Sequence, residues 1–244
     1  MAELSASYFD DWYSASLASP HDGRSSRFLQ LPEGVCSNSS LPGPGLDDVV
    51  RELESISGGH VVDLGCGRGH LSVEIARRVG CRVTGIDFSR IAIEAARRRG
   101  ASAAVDAAFQ VADMRSTGLP DHCADAVVSI DAMYFPRPLS AVTAECGRLL
   151  RGGGRLIATG WEPVDREPRL PAALQAAGFI NVRVHDRPAW SAIERERWIG
   201  LLEVSNSTGD PSLAADQTEA TSVLAEFDQR RRVMVTAVTV PRSL

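Results

Sequence analysis

The fold is decided by the stretch His60-Val61-Val62-Asp63-Leu64-Gly65-Cys66-Gly67-Arg68-Gly69-His70-Leu71-Ser72. It opens with an apolar run typical of a buried strand, breaks at three glycines, and continues with the periodicity of a helix. A strand that turns through glycines into a helix lets a ligand approach the bare backbone at the turn. The stretch therefore predicts an α/β fold with a ligand site at this bend.

The spacing of the glycines indicates what kind of ligand the bend accepts. Dinucleotide-binding turns carry G-x-G-x-x-G, and pyrophosphate rests on the N-terminus of the helix that follows. Here the glycines are Gly65, Gly67 and Gly69, and His70 occupies the place of the third dinucleotide glycine. Asp63, just before the turn, would repel a pyrophosphate, but it suits a ligand with an amine and a positively charged sulfur.

The pattern D-x-G-x-G-x-G resembles motif I of the class I S-adenosylmethionine (SAM)-dependent methyltransferases. The resemblance is to the small-molecule enzymes related to ubiquinone and menaquinone biosynthesis and to bacterial natural-product pathways, and it covers residues 46–160 well. It implies a Rossmann-like, three-layer α/β sandwich whose seven-stranded, mostly parallel sheet has the order 3-2-1-4-5-7-6. It also implies SAM as the cofactor, with Gly65 and Gly67 in its binding loop.

Two further acids end the next two predicted strands. A carboxylate at the position of Asp87 can accept both ribose hydroxyls of an adenosyl group, in NAD as well as in SAM, and Phe88 is placed to stack on adenine. The resemblance implies that Asp113 accepts the adenine amino group and that the backbone amide of Met114 meets a ring nitrogen. Since NAD enzymes have no matching requirement there, the second pair favours SAM.

The fourth predicted strand leads into a polar and aromatic corner. Catalytic groups in open α/β sheets lie at the carboxyl ends of strands, so Asp131 and Tyr134 are candidate catalytic residues. We expect Ile130 to contact the cofactor and Phe135 to contact the substrate. His21, in the N-terminal loop, is a third candidate base provided that this loop folds over the pocket, although such a histidine is more often simply solvated.

Aromatic residues at helical spacing predict an amphipathic helix within residues 1–20. Such a helix either packs on the domain or covers a small-molecule pocket. The resemblance implies a lid, in which Tyr13 covers the methionine end of the cofactor while Tyr8 and Trp12 contact the substrate. Trp161, at the end of the fifth predicted strand, is either a wall of the same pocket or a buried core residue.

The length of 244 residues and the 44% hydrophobic content allow one domain over residues 1–244. Within it we expect an N-terminal lid and loop over residues 1–45 and a helical cap insertion over residues 188–230. The cap is predicted to contain the helices Trp190–Val204 and Leu213–Arg230, before a final β-branched strand.

Charge and cysteine usage restrict the function classes. The net charge of −5 and the lack of a basic stripe disfavour nucleic-acid binding. The arginine runs 97–99 and 230–232 stand at the ends of helix-like segments, where they complement the helix dipole. Five cysteines without a C-x-x-C pair, and histidines without ligand spacing, predict neither a disulfide frame nor a metal site.

The expected compartment is the cytoplasm, because the thiols read as reduced and no signal-peptide pattern is evident. No apolar run approaches the length needed to span a bilayer, so we expect no membrane partner. The expected partner is a small-molecule substrate, and a homodimer is compatible with the sequence.

The leading hypothesis is transfer of a methyl group from SAM to a carbon, nitrogen or oxygen atom of a small, aromatic metabolite in bacterial secondary metabolism. One rival is an NAD-dependent oxidoreductase, which the glycine spacing and the Asp113-Met114 pair disfavour. The other rival is a non-catalytic SAM-binding regulator, which would keep the same cofactor positions.

Overall fold

A seven-stranded sheet forms the centre of the computed structural model, which describes residues 5–18, 23–210 and 213–241. The strand order is β3-β2-β1-β4-β5-β7-β6; β7 runs antiparallel to both neighbours, and the other pairs are parallel. The predicted order and architecture are confirmed. The strands are β1 His60–Leu64, β2 Arg82–Asp87, β3 Ala107–Val111, β4 Ala124–Ile130, β5 Leu150–Pro163, β6 Ile180–Asp186 and β7 Arg230–Val238.

Helices connect these strands and extend over one end of the sheet. In the described part of the chain they are α1 Ala6–Ala18, α2 Arg24–Phe28, α3 Gly43–Leu53, α4 His70–Val79, α5 Arg90–Ser102, α6 Leu139–Leu149, α7 Arg169–Ala176, α8 Pro188–Thr208 and α9 Ala214–Ala225. Short 3-10 turns follow α3 and α9, at Glu54–Ile56 and Phe227–Gln229.

Two apolar clusters flank the sheet, because successive side chains of a strand point to opposite faces. Val61 and Val128 belong to the cluster that packs on α3 and α4, whereas Val62 and Val127 belong to the cluster that packs on α6 and α7. The central strands are therefore buried on both sides, as expected for parallel strands in a three-layer sandwich.

The strand order reverses between β1 and β4, and ligands in such sheets bind in the crevice outside the carboxyl ends of the strands at that point. The bend after β1 lies at this crevice. Its backbone amides at Gly65 and Cys66 donate to the Ile86 carbonyl oxygen at 2.8 and 3.0 Å, which anchors the bend to β2. The topology thus brings the predicted ligand site to the switch point.

The glycine at the start of the bend is required by a close approach. Gly65 has φ 81°, and a Cβ built there would lie 2.3 Å from the Cβ of Ala132, in the turn after β4. A side chain at this position would therefore push two backbone turns apart.

One sequence expectation about the cap is wrong. Residues 230–232 do not end a helix, because α9 ends at Ala225 and β7 begins at Arg230. Antiparallel pairing with β5 places Arg230 opposite Pro163 and Arg232 opposite Trp161. The pairing overrides the helical pattern, so these arginines lie at the ligand end of the sheet and not at a helix terminus.

Substituting Gly65 by alanine should destabilise the protein more than the same change at Gly58. Both glycines have positive φ values, 81° and 74°, but nothing lies within 4 Å of a Cβ at Gly58. We expect Gly58→Ala to lower the free energy of unfolding by about 1–2 kcal/mol through backbone strain alone. Gly65→Ala should cost about 1–3 kcal/mol more, because it also overpacks. Urea unfolding of the two variants measures the difference, and equal losses would contradict the close approach.

Candidate functional site

A cavity of about 1530 Å³ lies at the carboxyl ends of β1, β2 and β4. Its volume exceeds the roughly 300–1,000 Å³ of a pocket for one small ligand, so it has room for two. All the predicted site residues in the described part of the chain line it: Tyr8, Trp12, Tyr13, Asp63, Gly65, Gly67, Asp87, Phe88, Asp113, Met114, Ile130, Asp131, Tyr134, Phe135 and Trp161. His21 lies outside the described residues.

Asp63 is a buried carboxylate that is only half satisfied. One oxygen accepts a hydrogen bond from the Ser72 hydroxyl at 2.6 Å, but Oδ1 has no hydrogen-bond partner among the described residues. Burial raises the pKa of Asp63 to about 6, against the opposing effect of the Ser72 hydrogen bond. Leaving a buried acceptor unpaired is costly, so a cationic donor in the cavity would satisfy this oxygen.

Asp87 is held in place by two backbone amides. Gly67 and Ser89 each donate to its carboxylate at 2.9 Å, so the acid fixes the glycine bend from the neighbouring strand. Burial raises the pKa of Asp87 to about 6, and the charge of Asp10 on α1 contributes to the increase. Asp63 and Asp87 are thus both desolvated, and each has a pKa of about 6.

Helix α1 lies directly on the glycine bend. The hydroxyl of Tyr13 is 2.8 Å from the position of a Cβ on Gly67, so only a glycine allows this contact. Asp10 accepts hydrogen bonds from the Ser89 hydroxyl at 2.5 Å and from the Ile91 amide at 3.3 Å. These bonds attach α1 to the start of α5.

Phe9 is an aromatic residue that the sequence analysis did not select. Its ring centroid is 5.2 Å from that of Phe88 and 6.1 Å from that of Phe135, so it joins the predicted adenine side to the predicted substrate side. The sequence could have indicated Phe9 through its helical spacing with Trp12 and Tyr13, because residues on one helix face share one environment.

Asp113 is oriented by its neighbour Arg115. The guanidinium donates to both carboxylate oxygens, from Nε at 3.0 Å and from Nη2 at 2.6 Å, and these bonds lower the pKa of Asp113. The side chain of Met114 turns back to the bend, with its Cε 3.2 Å from a Cβ position on Gly65. The pair therefore lies beside the glycine bend, as the sequence predicts.

Asp131 is bonded on every side. Its Oδ1 accepts from the Thr159 hydroxyl at 2.8 Å, its Oδ2 accepts from the Ser40 amide at 3.0 Å, and Arg232 lies 3.0 Å from Oδ1. The residue also has φ 54°, an uncommon value for a side-chain-bearing residue. These contacts fix the turn after β4. Because both carboxylate oxygens already have partners, Asp131 is poorly placed to act as a base.

Tyr134 packs its ring on a glycine and buries its hydroxyl. A Cβ on Gly160 would lie 2.1 Å from the ring, and the hydroxyl has no hydrogen-bond partner in the described part of the chain. Burial, with the charges of Glu162 and Asp131, raises the pKa of Tyr134 far above its usual value. The hydroxyl therefore stays protonated and can donate a hydrogen bond to a ligand in the cavity.

The helix α8 and the start of β7 add charged residues that the sequence analysis missed. Glu194 is fully buried and accepts from the indole N–H of Trp161 at 3.0 Å. Arg197 donates to the Ser40 hydroxyl at 2.9 Å, and the guanidinium of Arg230 lies 5.2 Å from the Trp161 ring centroid. Trp161 is thus a half-buried cavity wall. The sequence could have indicated Glu194 as a functional residue, because it is a charged residue that lies between two tryptophans on the buried face of a helix.

Two other kinds of site are not found in the part of the chain that is described. No group of three or more His, Cys, Asp or Glu side chains is placed to hold a metal ion there. No helix among residues 5–18, 23–210 and 213–241 is both long enough and apolar enough to cross a membrane.

Comparison with known proteins identifies the family. Residues 61–154 match a family described as a methyltransferase domain. A ubiquinone biosynthesis O-methyltransferase from Alkalilimnicola ehrlichii is 34% identical over 188 residues, which are 72% of this chain and 73% of that protein.

Two solved structures share the fold at low identity. The 4+2 cyclase SpnF has a TM-score of 0.74 and 18% identity, with 99% of this chain and 98% of that chain covered. Phosphoethanolamine N-methyltransferase 2 from Haemonchus contortus, in complex with SAM, has a TM-score of 0.73 and 17% identity, with 96% of this chain and 60% of that chain covered. Their names differ in reaction, so the fold alone does not define the chemistry.

The identity to the O-methyltransferase extends over almost three quarters of both chains, and the matched domain contains the glycine bend and the corner after β4. This chain belongs to the class I SAM-dependent methyltransferases related to the ubiquinone-biosynthesis enzymes, and SAM is its cofactor.

Proposed function

We propose that this chain transfers the methyl group of SAM to a carbon, nitrogen or oxygen atom of a small, aromatic metabolite in bacterial secondary metabolism. The observation that carries the proposal is one continuous cavity, in which the glycine bend and its acids meet a wall of Tyr134, Phe135 and Trp161. The five cysteines are all free, which supports a reducing, cytoplasmic location.

The cofactor half of the cavity supplies a partner for each polar part of SAM. We assign the ammonium group to the unpaired oxygen of Asp63 and the ribose hydroxyls to Asp87. We assign the adenine amino group to Asp113, which Arg115 already holds in one orientation, and a ring nitrogen to the Met114 amide.

Apolar and backbone surfaces complete this half. Gly65 and Gly67 leave the backbone of the bend without side chains, which lets a ligand approach it. Their lack of a Cβ also lets Ala132 and Tyr13 pack against the bend. Ile130 and Phe88 offer apolar contact beside the acids, and Tyr13 covers the bend from α1. The residues present therefore fit the cofactor of the family.

Bound SAM supplies a methyl group on a positively charged sulfur, so the protein need not create an electrophile. Its residues must hold the acceptor in line and exclude water, and such orientation supplies about 7–11 kcal/mol at its upper end. The Tyr134 hydroxyl, protonated and without a hydrogen-bond partner among the described residues, donates a hydrogen bond that orients the acceptor. Asp131 positions the corner that carries Tyr134, through its bonds to Ser40 and Thr159.

Two experiments separate this proposal from its rivals. Calorimetry with SAM, S-adenosylhomocysteine and NAD tests the cofactor, and binding of NAD alone would favour the oxidoreductase. Incubation with methyl-labelled SAM and a bacterial extract tests transfer. A non-catalytic SAM-binding regulator would bind the cofactor and label nothing.

SAM affinity should rise with pH through about 6. The pKa values of Asp63 and Asp87 are raised to about 6. Below that pH a proton on Asp63 removes the charge that pairs with the ammonium group, and a proton on Asp87 weakens its acceptance of the ribose hydroxyls. Binding should therefore release protons near pH 6, and affinity should level off above about pH 7. Calorimetry at several pH values, in buffers of different ionisation enthalpy, measures both effects. Constant affinity between about pH 5 and 7.5 would contradict the assignment of these two acids.

Replacing Asp87 by alanine should weaken SAM binding by about 1–3 kcal/mol, because the charge-assisted hydrogen bonds to the ribose are lost. The matched control is Asp165→Ala, which removes an exposed carboxylate that does not line the cavity. Equilibrium binding of SAM by the two variants gives the comparison. An unchanged affinity in Asp87→Ala would remove the ribose assignment.

Replacing Tyr134 by phenylalanine should lower kcat more than it lowers SAM affinity. The change keeps the ring against Gly160 and deletes one hydroxyl, whose hydrogen bond to the acceptor is worth about 0.5–1.5 kcal/mol. We therefore expect a loss of about 2- to 10-fold in kcat with stability unchanged. A kcat equal to that of the unsubstituted protein would contradict a catalytic role for Tyr134.

A further inference from the structure

The wall of the cavity formed by α7, α8, α9 and β7 carries charges that methyl transfer itself does not use. Arg169, Arg197 and Arg230 line this wall, and so do the carboxylates Glu194 and Glu219. Whether each arginine already has an anionic partner decides what the wall can bind.

Glu194 is shared among four side chains, and Arg230 is the most distant of them. Its carboxylate accepts from the indole N–H groups of Trp161 at 3.0 Å and Trp198 at 3.3 Å. It also lies 3.6 Å from the Nε of Arg232, which pairs with Asp131 on its other side. Asp131 and Glu194 thus share the buried Arg232, whose guanidinium is ion-paired with both but has no hydrogen-bond partner among the described residues.

Arg197 is also satisfied within the protein. It donates to the hydroxyls of Ser25 and Ser40, and it stacks 3.8 Å above the Trp198 ring. Glu219 is the carboxylate whose charge acts most strongly on it. The hydroxyl and ring contacts therefore satisfy Arg197, and the charge of Glu219 compensates part of its own.

Arg230 keeps an unused donor. Its Nε is buried and has no hydrogen-bond partner among the described residues, and the nearest carboxylate oxygen, on Glu194, is 3.9 Å from Nη2. Its guanidinium lies over the Trp161 ring at 5.2 Å from the centroid, on the cavity side. Burial lowers the pKa of Arg230, which is the sign of a cation that its surroundings do not fully compensate.

Arg169 is placed at the same end of β5. It is the first residue of α7, and its backbone amide donates to Glu162 of β5 at 3.3 Å. Its side chain lines the cavity close enough to Tyr134 to lower the pKa of that hydroxyl. No hydrogen bond or ion pair of its guanidinium is present within the described ranges. Since Arg230 lies opposite Pro163, both arginines reach the cavity from the carboxyl end of β5.

We propose that the methyl acceptor carries an anionic oxygen group, a carboxylate or a phosphate, and that Arg230 and Arg169 bind it. The unpaired side-chain atoms at this end, on Arg230, Arg232 and Tyr134, can all donate a hydrogen bond, so a ligand with acceptor oxygens matches them. Guanidinium groups match both anions in geometry and charge. The aromatic ring of Trp161 lies beneath Arg230, which places the anion at the edge of a flat apolar surface. The proposal rests on the proposed function, since it names a chemical class for that acceptor.

The test uses the full chain saturated with S-adenosylhomocysteine and three probes of similar shape: benzoate, phenyl phosphate and benzyl alcohol. Binding is followed by calorimetry and by tryptophan fluorescence. The variants are Arg230→Gln, Arg169→Gln and the double variant, with Arg230→Lys as the change that keeps the charge. Arg183→Gln is the matched control, because Arg183 is exposed on β6 and does not line the cavity.

At least one of the two anions should bind about tenfold or more tightly than benzyl alcohol. The double variant should lose that advantage, Arg230→Lys should keep part of it, and Arg183→Gln should keep all of it. Preference for benzoate would identify a carboxylate acceptor, and preference for phenyl phosphate would identify a phosphate. Equal binding of the neutral probe, no binding of either anion at millimolar concentration, or an unaffected double variant would overturn the proposal.

Two readouts keep this result separate from the proposed function. If the double variant loses affinity for S-adenosylhomocysteine, the arginines bind the carboxylate of the cofactor and the inference is wrong. Transfer of label from SAM in extract is measured independently. Label transfer without a preference for anions would support methyl transfer and contradict the arginine site. Anion binding without label transfer would support the arginine site and contradict methyl transfer. Thermal unfolding of each variant shows that it is folded.

Discussion

The close contact between two backbone turns governs the arrangement of this molecule. The bend after β1 and the turn after β4 meet at the switch point, where a Cβ on Gly65 would be 2.3 Å from that of Ala132. Since a parallel sheet directs its functional groups to this edge, the contact fixes Asp63 on one side of the crevice and Asp131 on the other. The cofactor acids and the acceptor wall therefore keep one geometry relative to each other.

Charge is distributed unevenly over this frame. Carboxylates with pKa values raised to about 6 line the side of the cavity near the glycine bend. On the opposite side, Asp131 and Glu194 share the buried Arg232, so these three side chains carry one net negative charge. Breaking a buried ion pair is costly, so these contacts tie the end of β4 and the start of β7 to α8.

The residues proposed to hold the cofactor could be selected from the sequence because their signals are local. Asp63, Gly65 and Asp87 stand at the ends of strands that a short window reveals. The acceptor wall depends on pairing between distant segments: Arg230 reaches the cavity only because β7 pairs with β5, and its own neighbours read as a helix end. Tertiary pairing overrides local propensity in such segments, so no window around Arg230 could have placed it.

Helix α1 is coupled to the glycine bend through charge. Asp10 attaches α1 to Ser89 and Ile91, yet its charge acts on the buried Asp87 and contributes to the raised pKa of that acid. The packing of α1 on the bend thus includes a repulsion between two carboxylates. By linkage, a ligand that reduces this repulsion stabilises the packing of α1, and it binds more tightly when α1 is packed on the bend.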